Sequence, residues 1–302
     1  MIIVQLSGGM GNQMGVYAAG RALSLRCGAR LKLDLSGLER DSVRKFELDK
    51  YNIQIEIATP EEIKFVTGQS RFKCINIIRE KIEKRFHIRN PSIYRGNTLS
   101  FDPSFFSLKA PLYITGYFPS IHYYRPIFDL LKKELSISRP LSQASQSWLG
   151  KVCATCSIAV HVRRGDYASN PKITAVHGVL GADYYQQAFK IMRNKYPEGE
   201  FFVFSDDPGW VRDNIKPDGV VHYVDCNDAD NGYQDYWLMR NCKHHIIANS
   251  GFSRWAALFC EYQHQEVIRP ARWLISKELN DEDIGPSSWI LVDNLLLSKT
   301  NN

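Results

Sequence analysis

The 302-residue sequence lacks several features that would place it in other classes of protein. No apolar run approaches the roughly 18–20 residues of a membrane-spanning helix. The first six residues, Met1 to Leu6, lack the charged front of a secretory signal peptide. The seven cysteines form no regular framework, which is typical of a reducing compartment. We therefore expect a cytoplasmic protein.

Sequence motifs for several ligands are also missing. No Gly-x-x-x-x-Gly-Lys-Ser/Thr loop is present, which argues against a P-loop NTPase. No zinc-finger, RNP-like or helix-turn-helix pattern occurs, so nucleic acid is not an expected partner. Asp228 and Asp230 resemble a paired-carboxylate metal site, but the surrounding Asn-Asp-Ala-Asp-Asn-Gly indicates a solvated loop. We expect no metal requirement.

The positive charge is concentrated in one window. Residues Arg71 to Arg95 hold eight Lys/Arg and two acids, which equals the whole net charge of +6. Phe72, Ile75, Ile78, Ile82 and Phe86 recur at roughly helical spacing and predict a basic amphipathic helix. Two interpretations remain open. In the first, one face of the helix covers a core and the opposite face is solvated. In the second, the helix makes a peripheral contact with an anionic membrane, and for a cytoplasmic protein this contact would be at the inner face of the membrane.

Strand and helix patterns alternate along much of the chain. Residues 1–6, a glycine-rich turn at 7–13, a helix from Met14 and a strand at Leu31–Leu35 form a βαβ unit. A Ser/Gln-rich stretch at 136–147 is the best linker candidate. Later strands are predicted at 158–162, 201–204, 220–224, 245–248 and 266–268. This predicts an α/β fold of two Rossmann-like domains, 1–145 and 146–302, facing each other across a cleft.

The stretch from His161 to Tyr167 is the strongest candidate site. A buried strand ends there in His161, Arg163, Arg164, Gly165 and Asp166. Ligands of open α/β sheets bind at the carboxyl ends of the strands, and paired guanidinium groups suit phosphate oxygens. A purely structural Arg–Asp ion pair explains the same residues. Asp166 is open to three roles, which are orienting an arginine, capping the next segment or acting as a base.

Two further strand ends carry polar residues. Phe204-Ser-Asp-Asp207 offers Asp206 or Asp207 to a nucleobase or ribose, with a helix cap as the alternative for one of the two acids. Ile246 to Ser253 leads a buried strand into a helix start, where backbone and hydroxyl donors suit an anion.

The loop after the first strand permits a different function. Gly9-x-Gly11, with Asp34 as a ribose acid, permits an NAD(P)-dependent oxidoreductase, although the third glycine falls one place late. Asn12 and Gln13 in this loop are placed either to contact a phosphate or sugar or to cap the helix. A non-catalytic glycan-binding module is a third possibility.

Taken together, four blocks resemble the α-1,2-fucosyltransferases of glycosyltransferase family 11, particularly the bacterial members. They are Gly8-Gly-Met-Gly-Asn-Gln-Met14 with Tyr17-Ala-Ala-Gly20, His161-Val-Arg-Arg-Gly-Asp-Tyr167, Val203-Phe-Ser-Asp-Asp207 with Trp210, and Leu238-Met239 through Cys242-Lys-His-His-Ile-Ile-Ala-Asn-Ser250. The resemblance implies a GT-B type fold, inverting transfer from GDP-fucose without a cofactor or metal, and an acceptor oligosaccharide or glycolipid that ends in galactose. It also places the acceptor side in the N-terminal domain and GDP-sugar binding in the C-terminal domain.

The resemblance also implies roles for individual residues. Arg163 would hold the β-phosphate, and Asn12 would reach the transferred sugar or its phosphate. Asp206 would contact guanine or ribose, with His161 close by. The phosphate pocket would be lined by Asn249, Ser250, Gly251 and Phe252. Arg164 belongs to the same donor site and is expected to support its loop, while Asp166 is either a base or an organiser of that loop.

The sequence departs from the family pattern at a few positions. Gly15-Val16 stand in place of Phe-Gln, Arg240 and Gly251 in place of hydroxyl residues, and Arg254 in place of a tryptophan. These departures bear on the shape of the donor pocket and on the identity of the acceptor.

Overall fold

The computed structural model describes residues 1–39, 44–54, 56–69, 90–96, 99–275 and 281–294. The chain divides into two compact units, Met1–Ser136 and Ile137–Asn302. Each unit is built on a parallel sheet with helices between its strands. The predicted α/β class with two Rossmann-like units is confirmed.

The first unit contains a four-stranded parallel sheet in the order β2-β1-β4-β3. Its strands are β1 (Ile2–Gln5), β2 (Leu31–Asp34), β3 (Ile93–Gly96) and β4 (Leu112–Gly116). The helices among its described residues are α1 (Met10–Cys27), α2 (Ser36–Glu39), α3 (Pro60–Thr67) and α4 (Phe128–Glu134). The predicted βαβ unit is present as β1-α1-β2.

The second unit contains a six-stranded sheet in the order β10-β9-β8-β5-β6-β7, with every pair of neighbouring strands parallel. Its strands are β5 (Ser157–Val162), β6 (Glu200–Ser205), β7 (Val221–Tyr223), β8 (His244–Ile246), β9 (Val267–Pro270) and β10 (Ile290–Val292). Every residue of β5 is buried, as expected for a central strand of a doubly covered sheet. All five predicted strands of this half are confirmed.

The helices of the second unit alternate with these strands. They are α5 (Gln143–Ala154), α6 (Gly165–Ser169), α7 (Pro171–His177), α8 (Ala182–Lys195), α9 (Pro208–Asn214), α10 (Gly232–Asn241) and α11 (Gly251–Leu258). The apolar face of α8, with Tyr185, Phe189 and Met192, packs on one core cluster with Ile158 and Phe201.

The stretch predicted as a linker, 136–147, is in part helical. Its second half begins α5, where the Ser142 side chain accepts from the backbone N–H of Ser145 at 3.2 Å. The Ser142 N–H donates to Gln234 Oε1 at 2.7 Å, which ties the start of α5 to α10 in the second unit. The serine and glutamine content predicted a linker, but Ser142 is a helix cap.

Most of the predicted basic helix, residues 71–89, lies outside the described residues. The end of the predicted window is not helical, because Ile93 to Arg95 belong to strand β3. Pro91 explains the difference, since proline is not accommodated within a helix interior. Among the described helices, none has the length and apolar character to cross a membrane.

Candidate active site

Three of the predicted motifs meet at the carboxyl-terminal edge of the second sheet. Strand β5 lies between β6 and β8, and the register pairs His161 with Phe204 and Val160 with Ile246. The ends of the three strands therefore deliver residues 163–166, 206–207 and 249–252 to one edge. Ligands of such sheets bind at this edge.

Arg163 is held between two carboxylates. Its Nη2 lies 2.5 Å from Asp166 Oδ1, and its Nη1 lies 2.6 Å from Asp206 Oδ2. The guanidinium carbon is 5.4 Å from the centre of the Tyr167 ring. The structural ion pair considered from the sequence is thus present, with Asp206 as a second partner. A phosphate that binds Arg163 replaces one of these carboxylates or uses the remaining N–H donors.

Asp206 anchors the loop that follows β5. Its Oδ1 accepts from the backbone N–H of Arg164 at 2.8 Å, while its Oδ2 faces Arg163. A Cβ atom on Gly165 would lie 2.5 Å from that Oδ2, so a side chain at this position would displace the carboxylate. Both carboxylate oxygens of Asp206 are engaged within the loop. The contact with guanine or ribose that the resemblance implies therefore requires one oxygen to be released.

Arg164 points to a different group of residues. Its Nε lies 3.2 Å from Asp207 Oδ2, and its guanidinium carbon lies 3.9 Å from the centre of the Trp210 ring. Asp207 also caps α9, since its Oδ1 accepts from the Trp210 N–H at 3.1 Å and Pro208 occupies the first turn. Asp207 is therefore the helix cap expected of one of the two acids. Arg164 joins the β5 loop to α9.

His161 is buried beneath this loop, with 6% of its surface exposed. Its Nδ1 lies 2.8 Å from Ser253 Oγ, and its ring centre lies 5.4 Å from that of Phe252. Burial, together with the positive charge of Arg163, lowers the pKa of His161 to about 3. The imidazole is therefore neutral at physiological pH and is a weak base.

Two residues that support His161 were not selected from the sequence. Ser253 pairs with its ring, and the Tyr185 hydroxyl donates to its backbone carbonyl at 3.1 Å. The signal for Ser253 was a hydroxyl three residues after Ser250, on the same face of the helix. Tyr185 gave no such signal, because its position matched the buried face of α8.

The start of α11 forms the third part of the edge. Ser250 caps the helix, with its Oγ accepting from the Phe252 N–H at 3.3 Å. Gly251 and Phe252 are half-buried and provide the first turn of the helix. Free backbone N–H groups and the helix dipole make such a terminus favourable for an anion. The helix start predicted after the buried strand is present.

Asn249 has a packing position beside this helix start. It is 2% exposed, and its Nδ2 donates to the carbonyls of His177 at 2.7 Å and Trp273 at 3.3 Å. Among the described residues its buried Oδ1 has no hydrogen-bond partner. The amide nitrogen joins the loops that follow α7 and β9, so it is not available to the phosphate that the sequence suggested.

Asp235, on α10, is a half-buried acid that sequence reasoning missed. Burial raises its pKa to about 7, and a hydrogen bond from Asn227 Nδ2 at 2.7 Å offsets part of that shift. Its helix borders the edge, because a Cβ atom on Gly232 would lie 3.8 Å from Phe252 Cε2. The aromatic residues around Asp235 in sequence indicated only a packed helix.

Replacing Asp235 with asparagine is expected to stabilise the protein at high pH. The native pKa of about 7 lies above the ordinary value of 3.8, so the folded state holds the proton more tightly. The free energy of unfolding therefore falls as the pH rises from the ordinary pKa of 3.8 to the native pKa of about 7, and the loss is complete above that native pKa. Asp235→Asn removes this loss and raises the free energy of unfolding at pH 8 by about 1–3 kcal/mol.

Urea unfolding at pH 8 and near pH 4 measures the effect of this substitution. The gain is expected at pH 8 and largely absent near pH 4, where Asp235 is protonated in the native protein. Asp213→Asn, at an exposed position on α9, is the matched control. An equal gain at both pH values for Asp235→Asn would show a packing effect and contradict the titration.

The acids considered as a metal site lie in a short turn. Asp228 Oδ1 accepts from the backbone N–H of Asn231 at 3.0 Å and from its Nδ2 at 2.9 Å, which caps the following 3₁₀ turn. Within the described part of the chain, no three His, Cys, Asp or Glu side chains are grouped so that they could hold a metal ion.

In the first unit, the glycine-rich turn leads into α1. The buried side chain of Gln13 donates to the carbonyls of Gly8 at 2.9 Å and Lys45 at 2.8 Å, and accepts from the Glu47 N–H at 3.0 Å. Gln13 therefore holds the turn in place. Asn12, the residue predicted to contact the sugar or phosphate, is exposed at the start of the helix.

Asp34 does not suit the oxidoreductase alternative. It is 3% exposed, and its carboxylate accepts from the Tyr113 hydroxyl at 2.5 Å and from the N–H and hydroxyl of Ser36 at 2.9 and 3.0 Å. A ribose-binding acid in a dinucleotide fold faces the ligand. Asp34 is instead part of the packing between β2 and β4.

Comparison with known proteins identifies the family. The model of glycosyl transferase family 11 matches residues 54–293. The chain belongs to this family. The resemblance drawn from the four motifs is thereby confirmed, an enzyme of the glycosyltransferase class is shown, and the oxidoreductase and glycan-binding alternatives are not favoured.

Relatives of this family 11 member align along most of its length. The α-1,2-colitosyltransferase of Escherichia coli is 29% identical over 97% of the chain and 99% of the relative. The O-antigen biosynthesis glycosyltransferase WbnK of Escherichia coli is 28% identical over 94% and 98%. The galactoside 2-α-L-fucosyltransferase Sec1 of Mus musculus is 27% identical over 85% and 64%.

A solved structure supports the fold. A mutant of Arabidopsis thaliana FUT1 in complex with GDP matches with a TM-score of 0.52 at 11% identity, over 97% of this chain and 76% of the other. Together with the two parallel sheets, this match confirms the predicted GT-B fold type.

Proposed function

We propose that this family 11 member transfers fucose from GDP-fucose to the 2-hydroxyl of a terminal galactose, with inversion at the anomeric carbon. One observation carries the proposal. The Arg163 cluster and the Ser250-capped start of α11 lie at the same sheet edge and offer a cation and backbone donors to one diphosphate. The names of the mouse and Escherichia coli relatives support α-1,2 transfer of a deoxy sugar.

Stabilisation of the leaving group is the main catalytic effect in this proposal. As the bond to the anomeric carbon breaks, negative charge develops on the β-phosphate of GDP. Arg163 neutralises that charge, and the backbone N–H of Gly251 at the start of α11 contributes a hydrogen bond.

The proposed mechanism does not use a strong base. His161 has a pKa of about 3 and is buried, so it removes no proton from an acceptor at neutral pH. Asp166 lies 2.5 Å from Arg163 Nη2, and this ion pair favours its role in holding the loop. A well-stabilised GDP leaving group lets the acceptor hydroxyl attack as its proton passes to solvent.

A second candidate donor is GDP-colitose. It is favoured by the α-1,2-colitosyltransferase relative, which aligns with nearly the whole chain. Colitose is fucose without the 3-hydroxyl group. A donor pocket that hydrogen-bonds this hydroxyl would discriminate strongly against colitose, because a buried polar group would lose its partner.

Release of GDP from each donor, with and without a β-galactosyl disaccharide, tests the proposal. We expect acceptor-dependent release from GDP-fucose, a product linked at the 2-hydroxyl and full activity in EDTA. Preferential use of GDP-colitose would assign the second candidate. Loss of transfer in EDTA with recovery on adding Mn²⁺ would contradict metal independence, and release from neither donor would overturn the proposed function.

We also propose that the protein acts in the cytoplasm at the inner face of the membrane, through residues 71–95. The excess of six positive charges in this window supports the proposal, since basic residues bind anionic lipid. We expect the protein to sediment with phosphatidylserine-containing vesicles at low salt and to be released at high salt. Equal recovery with neutral vesicles would contradict the electrostatic contact.

A further inference from the structure

We propose that Tyr117 is the platform on which the acceptor sugar stacks. This inference rests on the proposed transfer to a galactose-ended acceptor and names the side chain that positions it. Tyr117 follows the carboxyl end of β4 in the first unit, at the sheet edge where α/β folds bind ligands.

The ring of Tyr117 is exposed although its aromatic neighbours are packed. Tyr117 is 52% exposed, whereas Phe118 and Tyr123 are each 2% exposed. Those two rings pack at 5.1 Å between centres, and both also pack against Phe105. Among the described residues, Tyr117 has no ring contact or side-chain hydrogen bond. The aromatic cluster is complete without it, so packing does not explain this tyrosine.

The backbone holds Tyr117 in a fixed position. The preceding Gly116 has a φ angle of 102°, which favours glycine, and a Cβ atom there would lie 2.2 Å from the carbonyl oxygen of Gly96. The Tyr117 N–H donates to the same carbonyl at 2.9 Å. The chain therefore turns sharply at the end of β4 and presents the ring at a defined place.

The Tyr117 segment lies beside the glycine-rich turn of the same unit. The carbonyl oxygen of Phe118 would be 3.3 Å from a Cβ atom on Gly15. Asn12 is three residues before Gly15 in α1, so the two share a helix face. The exposed carboxamide of Asn12 and the ring of Tyr117 therefore border one rim, within a distance on the order of 10 Å. A disaccharide has about this length.

The chemistry of the rim fits a neutral pyranose. In galactose the axial 4-hydroxyl leaves the C3–H, C4–H and C5–H bonds as a continuous apolar patch. This patch stacks on an aromatic face, and the tyrosine hydroxyl stays in water. The amide of Asn12 both donates and accepts hydrogen bonds, as sugar hydroxyls require. The galactose would thus be held with its polar edge toward the glycine-rich turn.

Kinetics with a β-galactosyl disaccharide at saturating donor test the inference. We expect Tyr117→Ala to raise the acceptor KM about tenfold, with Tyr117→Phe within about twofold of the unmodified protein. Tyr117→Leu keeps an apolar side chain without a ring face and is expected to behave like alanine, which preserves the test if alanine impairs folding. The donor KM and the slow release of GDP to water are expected to stay unchanged.

Phe65→Ala is the matched control. Phe65 is an aromatic residue of the same unit, it is 75% exposed, and it lies in the last turn of α3. Ile63 and Val66 of this helix pack with Met1 and Ile93, which lie at the amino ends of the strands. Phe65 is therefore near the opposite edge of the sheet from Tyr117. An unchanged acceptor KM in Tyr117→Ala, or an equal rise in Phe65→Ala, would overturn the inference while leaving the proposed transfer intact. An unmodified protein that transfers from neither donor would overturn both.

Discussion

Replacing Arg163 with alanine is expected to lower kcat by about 10²–10³, the scale of losing one preorganised charge-stabilising group. Its two terminal nitrogens lie 2.5 and 2.6 Å from Asp166 and Asp206, so the guanidinium is already oriented at the edge. The variant also leaves these carboxylates near the developing negative charge of GDP. Steady-state kinetics measure the change in kcat and in the donor KM. The midpoint of thermal unfolding checks that the variant is folded.

Two further variants define the role of Arg163. Lysine at this position carries the charge on a single point and does not bridge two carboxylates, so Arg163→Lys is expected to recover only part of kcat. Arg164→Ala is the neighbouring control, because Arg164 contacts Asp207 and Trp210 and is expected to affect kcat less. Turnover like that of the unmodified protein in Arg163→Ala would remove Arg163 from the mechanism.

Asp206→Ala is expected to lower kcat/KM for the donor by about 30- to 100-fold. The carboxylate accepts from the Arg164 N–H and binds Arg163, so its removal frees the loop and the guanidinium together. Two lost interactions that involve a charged group amount to about 2–3 kcal/mol. Donor kcat/KM and GDP binding by calorimetry measure this loss.

Asp206→Asn separates support of the loop from the charge. Its Oδ1 can still accept from the Arg164 N–H, but it has no charge for Arg163. If the loop bond carries the effect, the asparagine variant is expected to bind GDP nearly as well as the unmodified protein. If the ion pair carries it, asparagine is expected to behave like alanine. Unchanged kcat/KM in both variants would show that Asp206 has neither role.

The strand ends of the second unit were predictable because alternating elements place parallel strands with their carboxyl ends at one edge. The pattern around β5, β6 and β8 predicts that the residues after these strands share one edge, and the resemblance adds that Arg163, Asp206 and Ser250 belong to one donor site. The double pairing of Arg163 was not predictable. Asp166 and Asp206 reach it from different strand ends, and sequence spacing does not choose among nearby carboxylates.

The main differences between the predicted and the observed roles concern polar side chains that form hydrogen bonds with the backbone. Gln13 and Asn249 lie in the motifs of the resemblance, yet their amides hold the Gly8 turn and the loops at His177 and Trp273. A side-chain amide forms hydrogen bonds with a ligand or with a backbone carbonyl equally well, so the residue type does not reveal which of the two is its partner. Ser142 shows the same ambiguity, since it caps α5 within a stretch whose composition predicted a linker.

The close approach of Gly165 to Asp206 couples the two positions in the evolution of this chain. Any side chain at 165 places a Cβ atom 2.5 Å from Asp206 Oδ2, so an alanine is accommodated only after the carboxylate has moved or been replaced. Loss of Asp206 first would leave room for a side chain at 165, whereas the reverse order passes through a clash. Family members that carry a side chain at position 165 are therefore expected to lack this aspartate, whereas the glycine can remain where the aspartate has been lost.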